Sequence, residues 1–358
     1  MKLLSNFFTD DLAIDLGTVN TLIFAPDRGI VLNEPSAVAI HKYTGEVLAV
    51  GTEAYKMLGR EPHDTEVHRP IRNGTIDNFG VTDKMLKAFV RRVNNNHHRR
   101  SHLVIGVPGS STTLEQRSVR DAARDAKATR VDLVDEGLAA GLGAGLEFDD
   151  EKAHLVVDIG GGTTNVAIIA SGAVVASLSV SAAGNAMDEA IRDYMRSTHS
   201  MQIGERTAEE VKKALGSAIA ANSKSKTDAS MEVVGKRLAD GSAQATILAA
   251  AEVREALEPV ITDIIAGVQR AVEESQPDVT ADIYHTGIIL TGGGAMLSGM
   301  ADRLRDAVGL YVVVADDPLT TVALGGGRLL NNPAKLHRAA IREDVPVWQA
   351  SEELVVNW

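Results

Sequence analysis

Cysteine is absent from the 358-residue chain. That excludes disulfide staples and thiolate chemistry, and it suits a cytosolic protein. Aromatic residues amount to only 4%, so the cores must be aliphatic, built from Leu, Ile, Val and Ala. The 44% hydrophobic content supplies them. Basic residues are in deficit, 36 Lys and Arg against 48 Asp and Glu, for a formal net charge of −12. This argues against general affinity for nucleic acid, whose phosphates need a basic surface, and against recruitment to anionic lipid by charge alone. No run of 18 or more apolar residues occurs, so no membrane-spanning helix is expected. The N-terminus lacks the apolar core and cleavage site of a signal peptide. At about 100–200 residues per domain, the length predicts two or more domains.

What is present is a repeated device. Leu12-Ala13-Ile14 leads into Asp15-Leu16-Gly17-Thr18-Val19-Asn20, and Thr21-Leu22-Ile23-Phe24 follows. Two β-rich runs around a Gly-containing turn read as a hairpin. Later, His154-Leu155-Val156-Val157 leads into Asp158-Ile159-Gly160-Gly161-Gly162-Thr163-Thr164-Asn165, and Val166-Ala167-Ile168-Ile169 follows. Each copy continues into a third strand, Ile30-Val31-Leu32 after Asp27-Arg28-Gly29 and Ala173 to Val180 after Gly172. An internal duplication is expected, each half opening in a β-meander. Helical periodicity follows over Thr82–Val93, with Met85, Leu86, Phe89 and Val90 on one face. Further helices are expected over Ser111–Ala126, Leu138–Leu146, Ala186–Tyr194, Thr207–Ala221, Val253–Glu274 and Met300–Val308, with strands at Gly287–Leu290 and Tyr311–Ala315. The segment from Lys335 to Trp358 shows little pattern.

The two turns point to phosphate chemistry. A tight hairpin exposes successive backbone N–H groups, and glycine lets the backbone approach a phosphate closely. Thr18, Asn20 and Thr163 add hydroxyl and amide donors. Asp15 and Asp158 end the entering strands as carboxylates beside that polyphosphate, so a cation is implied between the anions, Mg²⁺ by preference. The bland alternative is two ordinary Gly hairpins with Asp as turn former.

Two further pieces belong with these. In Leu290-Thr291-Gly292-Gly293-Gly294-Ala295-Met296 a strand runs into a triple-Gly turn, where a flat ring or ribose can lie against bare backbone. The later Gly325-Gly326-Gly327 reads instead as close packing of a helix on a sheet. In Val134-Asp135-Glu136-Gly137-Leu138-Ala139-Ala140 a strand ends and a small-residue helix begins. Carboxylates there are favoured by the helix dipole as N-caps, or else one of them orients water for attack on a terminal phosphate.

These pieces, in this order, resemble the superfamily of actin, sugar kinases and the heat-shock chaperone ATPases. The likeness to the MreB family of bacterial actin-like proteins runs further, from about Asp11 to Leu330. It is carried by Ile14-Asp15-Leu16-Gly17-Thr18, Asn33-Glu34-Pro35-Ser36, Met57-Leu58-Gly59-Arg60, Arg69-Pro70-Ile71, Asn73-Gly74, Asp188-Glu189-Ala190-Ile191 and Asp317-Pro318-Leu319-Thr320. The resemblance implies an α/β protein of the duplicated, ribonuclease H-like actin fold with ATP between two lobes. It implies lobes at 1–150 and 151–330, small subdomains at about 30–75 and 185–250, and a tail at 331–358. By the same likeness Thr18, Val19 and Asn20 hold phosphates from one side, and Gly160, Gly161, Gly162 and Thr163 from the other. Asp15 and Asp158 position Mg²⁺ through water, Glu136 positions the attacking water, and Glu209 and Lys212 meet ribose and adenine. Gly292, Gly293, Gly294 and Ala295 back the nucleotide. Two departures stand out: Gly137 replaces the family's proline after the glutamate, which loosens the backbone there, and Asn185-Ala186-Met187 is altered.

The resemblance further implies ATP-regulated filaments of self-associated copies, with slow hydrolysis, in cell-shape control or intracellular positioning. It implies a cytoplasmic protein at the inner face of the membrane, with membrane-bound cell-shape proteins as further partners. Leu3, Leu4, Phe7 and Phe8 are spaced for one helical face that can lie in a lipid interface. The run Asn94 to Arg100 is polar and basic, a solvated loop rather than an apolar insertion. A small-molecule kinase of the same fold is the competing class, but no Asp or His stands in a motif for an acceptor base. A chaperone ATPase would need a further domain, and too little chain follows Leu330.

Overall fold

The computed structural model describes residues 9–94, 100–219 and 229–342. The chain opens with three strands, β1 (Thr9–Leu16), β2 (Asn20–Ala25) and β3 (Gly29–Pro35). A small sheet follows, β4 (Val38–His41), β5 (Val47–Val50) and β6 (Thr65–His68), with helix α1 (Thr52–Met57) between β5 and β6. A two-stranded ladder, β7 (Ile71–Arg72) and β8 (Thr75–Ile76), turns through Asn73-Gly74. Both turn residues have positive φ, 48° and 74°, as an Asn-Gly hairpin turn requires. Then come α2 (Phe79–Val93), β9 (Arg100–Val107), α3 (Thr113–Asp125), β10 (Ala128–Asp135) and α4 (Glu136–Gly143).

The second half repeats this plan with β11 (His154–Ile159), β12 (Thr164–Ala170) and β13 (Ala173–Val180). Its own insertion is α5 (Gly184–Thr198), β14 (Met201–Gln202), α6 (Glu205–Leu215), β15 (Ser230–Arg237) and β16 (Ala243–Ala249). It ends in α7 (Ala250–Glu273), α8 (Pro277–Thr286), β17 (Ile288–Thr291), a 3₁₀ turn (Gly293–Met296), α9 (Met300–Val308), β18 (Val312–Val314), α10 (Thr321–Leu330) and α11 (Pro333–Ala339).

The main sheets have the orders β3-β2-β1-β9-β10 and β13-β12-β11-β17-β18. In each, the first strand pairs antiparallel with the second and parallel with the later strand on its other side. The duplication holds to the residue: Asp15 lies opposite Leu22 and Asp158 opposite Asn165.

Packing explains why these segments fold so. β1 and β11 are central and read as continuous apolar runs because both faces are covered; Leu12, Ala13, Ile14, Leu155, Val156 and Val157 are all buried. One face of each sheet feeds its own core, around Leu86 and Phe89 in the first half and Leu257 and Ile261 in the second. The opposite faces meet in a shared core with α4 and α10, where Ala13 and Val104 join Val156, Leu138, Val322 and Leu329. The two helices approach so closely that a Cβ on Gly325 would lie 1.8 Å from the Ala139 carbonyl oxygen, and one on Gly143 as near that of Thr321. The triple glycine at 325–327 serves packing, as expected.

Caps set the helix starts. Asn78 accepts the Val81 N–H, and Thr112 and Glu115 form a reciprocal capping box. The helix expected over Thr207–Ala221 ends at Leu215, because Gly216 leaves helical geometry. A short helix, α11, forms in the stretch that shows little pattern, capped by Asn332. Its Lys335 and Arg338 pair with Asp149 and lie over the Phe148 ring. Leu3, Leu4, Phe7 and Phe8, the loop residues 95–99 and the tail from 343 lie outside the described residues.

Candidate functional site

A cleft of about 650 Å³ opens between the two halves, within the range of small-molecule sites. Every residue expected at the phosphates or catalytic centre lines it: Asp15, Thr18, Val19, Asn20, Glu136, Asp158 and Gly160 to Thr163. Glu209, Lys212 and Gly292 to Gly294 line it as well. Ala295 is buried in the second core beneath them.

The two hairpin turns face each other across the cleft. A Cβ on Gly161 would stand 2.1 Å from Val19 Cγ2, and one on Gly162 2.5 Å from Thr18 Oγ1. The Asn73-Gly74 turn inserts beside them: Gly74 donates its N–H to Thr18 Oγ1 at 3.0 Å. Gly292 (φ +80°) is also forced, since a Cβ there would meet Asp158 Oδ1 at 2.2 Å. Gly293 differs, for only Leu319 lies within 4 Å of its would-be Cβ. Its backbone is the one bare surface of that triplet turned to open space.

Three carboxylates share the floor. Asp15 keeps part of its surface toward the cleft but lies deep in the protein. Burial, and next the charge of Asp158, push its pKa up to about 7. Burial pushes Asp158 up to about 6. Glu136 is raised well above the usual range, first by burial and then by repulsion from Asp15, Asp158 and Asp135. Crowded, buried carboxylates shift in this direction, and such groups in a cleft make it a candidate functional site. Asp135 is the N-cap of α4, accepting the Leu138 N–H at 3.0 Å. Asp135 is therefore the cap, while Glu136 lines the cleft.

The donor set fits a hard, oxygen-seeking cation, being carboxylates only. Among the described residues no three His, Cys, Asp or Glu side chains stand close enough to enclose a metal themselves. That suits Mg²⁺, which keeps much of its water and binds through one or two carboxylates plus substrate phosphates.

Several members of the site were not singled out from sequence. Asn165 donates from Nδ2 to Glu136 Oε2 at 2.9 Å, and its Oδ1 accepts from Ser179 Oγ at 2.7 Å. A side chain from the second half thus fixes a carboxylate of the first. Gly137 is held rather than loosened. It lies inside α4, and a Cβ there would meet Ala167 Cβ at 2.3 Å. At the other end, Tyr55 donates to Glu209 Oε2 at 2.8 Å, and Arg69 pairs with Glu205. Burial, and next the Glu209 contact, push the Tyr55 hydroxyl up to about 12. For Glu209, burial opposes ionisation, but hydrogen bonds from Lys213 and Tyr55 outweigh it and lower its pKa. Lys212 Nζ donates to the Gly184 carbonyl at 2.8 Å and lies 2.8 Å from Asp188.

Duplicated five-stranded sheets, joined by two packed helices and closing two Asp-ended turns on one cleft, define the actin-like class. MreB5 of Spiroplasma citri bound to ADP matches with a TM-score of 0.85 at 32% identity, covering 92% of this chain and 98% of that one. Its AMPPNP-bound form matches at 0.86 and 31%, with the same coverage. A MamK double helical filament shares the fold at 0.74, 21% identical, over 90% of this chain and 99% of that one. In sequence, the cell shape-determining protein MreB of Escherichia coli K12 is 43% identical over 336 residues, 92% of this chain and 96% of that relative. Mbl of Bacillus subtilis 168 is 38% identical over 333 residues, 92% of this chain and 98% of its own. The MreB/Mbl protein family matches residues 9–338. The chain belongs to the MreB/Mbl family. Among the described residues no helix is long and apolar enough to cross a membrane.

Proposed function

We propose that this chain binds ATP with Mg²⁺ in the cleft and assembles with copies of itself into filaments that slow hydrolysis takes apart. The observation that carries this reading is the pair of Asp-ended turns meeting across one cleft. Thr18, Val19 and Asn20 would hold the phosphates from one side and Gly160, Gly161, Gly162 and Thr163 from the other. Glu209 and Lys212 would meet the ribose and adenine, with Gly293 and Gly294 backing the nucleotide. Asp15 and Asp158 would hold Mg²⁺ through its waters. When bound, that ion neutralises charge on the phosphates and lets the carboxylates stay ionised. Glu136, held by Asn165, would accept a hydrogen bond from water and orient it toward the terminal phosphate.

Relatives named for ADP, AMPPNP, cell shape and filaments support this reading. They favour a cytoskeletal task, cell shape or intracellular positioning, over the kinase alternative. We assign lobes to 1–150 and 151–330, with small subdomains at about 30–75 and 185–250. A location at the inner face of the membrane belongs to the same proposal, with Leu3, Leu4, Phe7 and Phe8 as the lipid contact and membrane-bound shape proteins as partners. Co-sedimentation with vesicles, lost in a Phe7→Ser/Phe8→Ser variant, tests that part.

The central test is pelleting with ATP·Mg²⁺, ADP·Mg²⁺ or no nucleotide, for the native chain and Glu136→Ala. Nucleotide-dependent pelleting is expected. Glu136→Ala should retain ATP, hydrolyse it about 100-fold more slowly and leave persistent polymers. A chain that binds ATP yet stays soluble at every concentration would refute the filament reading.

A further inference from the structure

The first sheet ends at β10, and one end of its outer edge is already in use. Ala340, the residue after α11, bridges antiparallel to Val134. The Ile341 N–H donates to the Leu133 carbonyl at 2.8 Å. Arg120, a buried residue of α3, donates from Nη2 to the Ile341 carbonyl at 2.8 Å. Ile341 packs on the same core as Leu133. The chain therefore leaves α11 as the start of a strand. Beyond that point, among the described residues, β10 has no ladder on its outer side. Backbone groups turn to alternate sides along a strand, so Val131 next offers its N–H and C=O outward. An open edge of this kind is a template for pairing with another extended segment.

The contacts already made fix a register, and the sequence fits it. Continued antiparallel, Arg342 falls opposite Asp132, Glu343 opposite Val131 and Asp344 opposite Arg130. Opposite residues share a face of the sheet, and opposite charges there attract. Asp132 already holds His102 at 2.7 Å and Arg130 at 2.8 Å. Arg342 and Asp344 would extend that cluster into a row of alternating charge. Glu343 falls on the Leu133 face, against which α3 packs. There α3 carries Arg117, Arg120 and Arg124 about the carboxylate of Asp121. Both strands also stop at the same place. The pairing of β10 with β9 shifts between Ala128 and Arg130, a bulge at Thr129, and bulges terminate ladders. In the tail Pro346 would fall opposite Ala128, with no N–H to give.

We propose that the chain's own C-terminal segment, Arg342 to Asp344, completes the five-stranded first sheet as a sixth strand on β10 and closes that edge to other chains. The occupant is this segment because the residues that begin the strand, Ala340 and Ile341, are joined to it directly. No loop has to be closed to bring it to the edge, whereas a second copy would have to displace it.

The absence of cysteine makes disulfide trapping direct. Arg130 and Asp344 would form a non-hydrogen-bonded pair, as Val134 and Ala340 do. Such pairs bring Cα atoms to about 4.5 Å, within reach of a disulfide. Under mild oxidation Arg130→Cys/Asp344→Cys should cross-link within the monomer. Arg130→Cys/Glu343→Cys puts its second thiol on the other face and should cross-link about tenfold more slowly. The Arg130 side chain is 57% exposed, so its replacement leaves the fold intact. A chain ending at Arg342 reads the same strand with no substitution at all. It keeps the contacts to Val134, Leu133 and Arg120, and thermal melting checks its fold. Its Val131 amide should exchange with deuterium about tenfold faster than in the full chain, through loss of one backbone hydrogen bond. Equal cross-linking of the two cysteine pairs, or none in either, would overturn the strand. A disulfide-linked dimer would give the edge to the tail of a second copy and refute closure within one chain. Unchanged exchange at Val131 in the shortened chain would refute it as well.

Discussion

The two halves place the same hairpin at the same cleft, but they differ in what the hairpins carry. The first turn carries Thr18 and Asn20 around a single glycine, while the second runs through three consecutive glycines to Thr163. Seven residues after the aspartate the first copy has Leu22 and the second Asn165. Leu22 is buried, whereas Asn165 reaches across and binds Glu136. One duplicated scaffold has thus been divided into a half that supplies the Glu136 carboxylate and a half that holds it. The site is complete only when both halves are in register.

Making the second copy like the first is the sharpest way to break that difference. Asn165→Leu should lower the ATP hydrolysis rate about 10–100-fold, the worth of one hydrogen bond to a charged group. Nucleotide affinity should change less than the rate, because the hydrogen bonds of Asn165 go to Glu136 and Ser179. The pH profile gives the diagnostic readout. The lost donor had favoured the ionised carboxylate, so the pKa of Glu136 should rise further, and the limb where activity appears should move to higher pH. Ser179→Ala, which frees only the far end of Asn165, should show the same shift in smaller measure. An unchanged profile in Asn165→Leu would mean that the contact merely fills space.

That asymmetry also marks the limit of what the sequence alone discloses. The Asp-ended turns are legible because a hairpin around glycine is local chemistry, written within about eight residues. Gly292 to Gly294 and Asp135-Glu136 are legible for the same reason. Asn165 is not, since it sits in an ordinary strand run and its partner lies 29 positions away. Tyr55 with Glu209 and Arg69 with Glu205 are separated by 154 and 136 positions. No spacing rule joins residues so far apart. One signal did exist: aligning the duplicated halves on their aspartates sets Leu22 against Asn165, a polar residue where the pattern calls for an apolar one. The small sheets of β4 to β6 and β14 to β16 went unread for a different reason. Their strands are two to eight residues long and only weakly patterned, and pairing across the insertion is what stabilises them.

The aspartates allow a second comparison, of intermediate size. In the folded nucleotide-free protein Asp15 titrates near 7 and Asp158 near 6, against 3.8 ordinarily. The folded state therefore holds these protons more tightly than the unfolded chain. Their stabilising effect is full below about 4 and is lost as pH rises through the folded values. Thermal melts of the nucleotide-free protein should fall between pH 5 and pH 8. Asp15→Asn should flatten that fall more than Asp158→Asn and raise the melting temperature at pH 8 by about 5 °C. Melting curves of the two variants that parallel the native curve across this range would remove the shared anionic floor from the account, and with it the case for a cation there.

The smallest effect concerns how the two turns touch. Gly161 faces Val19 with no space for a Cβ, which would lie 2.1 Å from Val19 Cγ2 and 3.0 Å from its Cβ. Gly161→Ala should hold the turns apart and weaken ATP binding about fivefold to tenfold, a cost on the order of 1 kcal/mol. Because the obstacle is the end of one side chain and not backbone, trimming it should repair the fit. Val19→Ala alone should change affinity little, and the double variant should recover most of what Gly161→Ala lost. Such an interaction energy, read from a double-mutant cycle of nucleotide affinities, is what residues in direct contact show. Simple additivity would mean that the turns do not meet when nucleotide is bound, and that the two copies bind their phosphates independently.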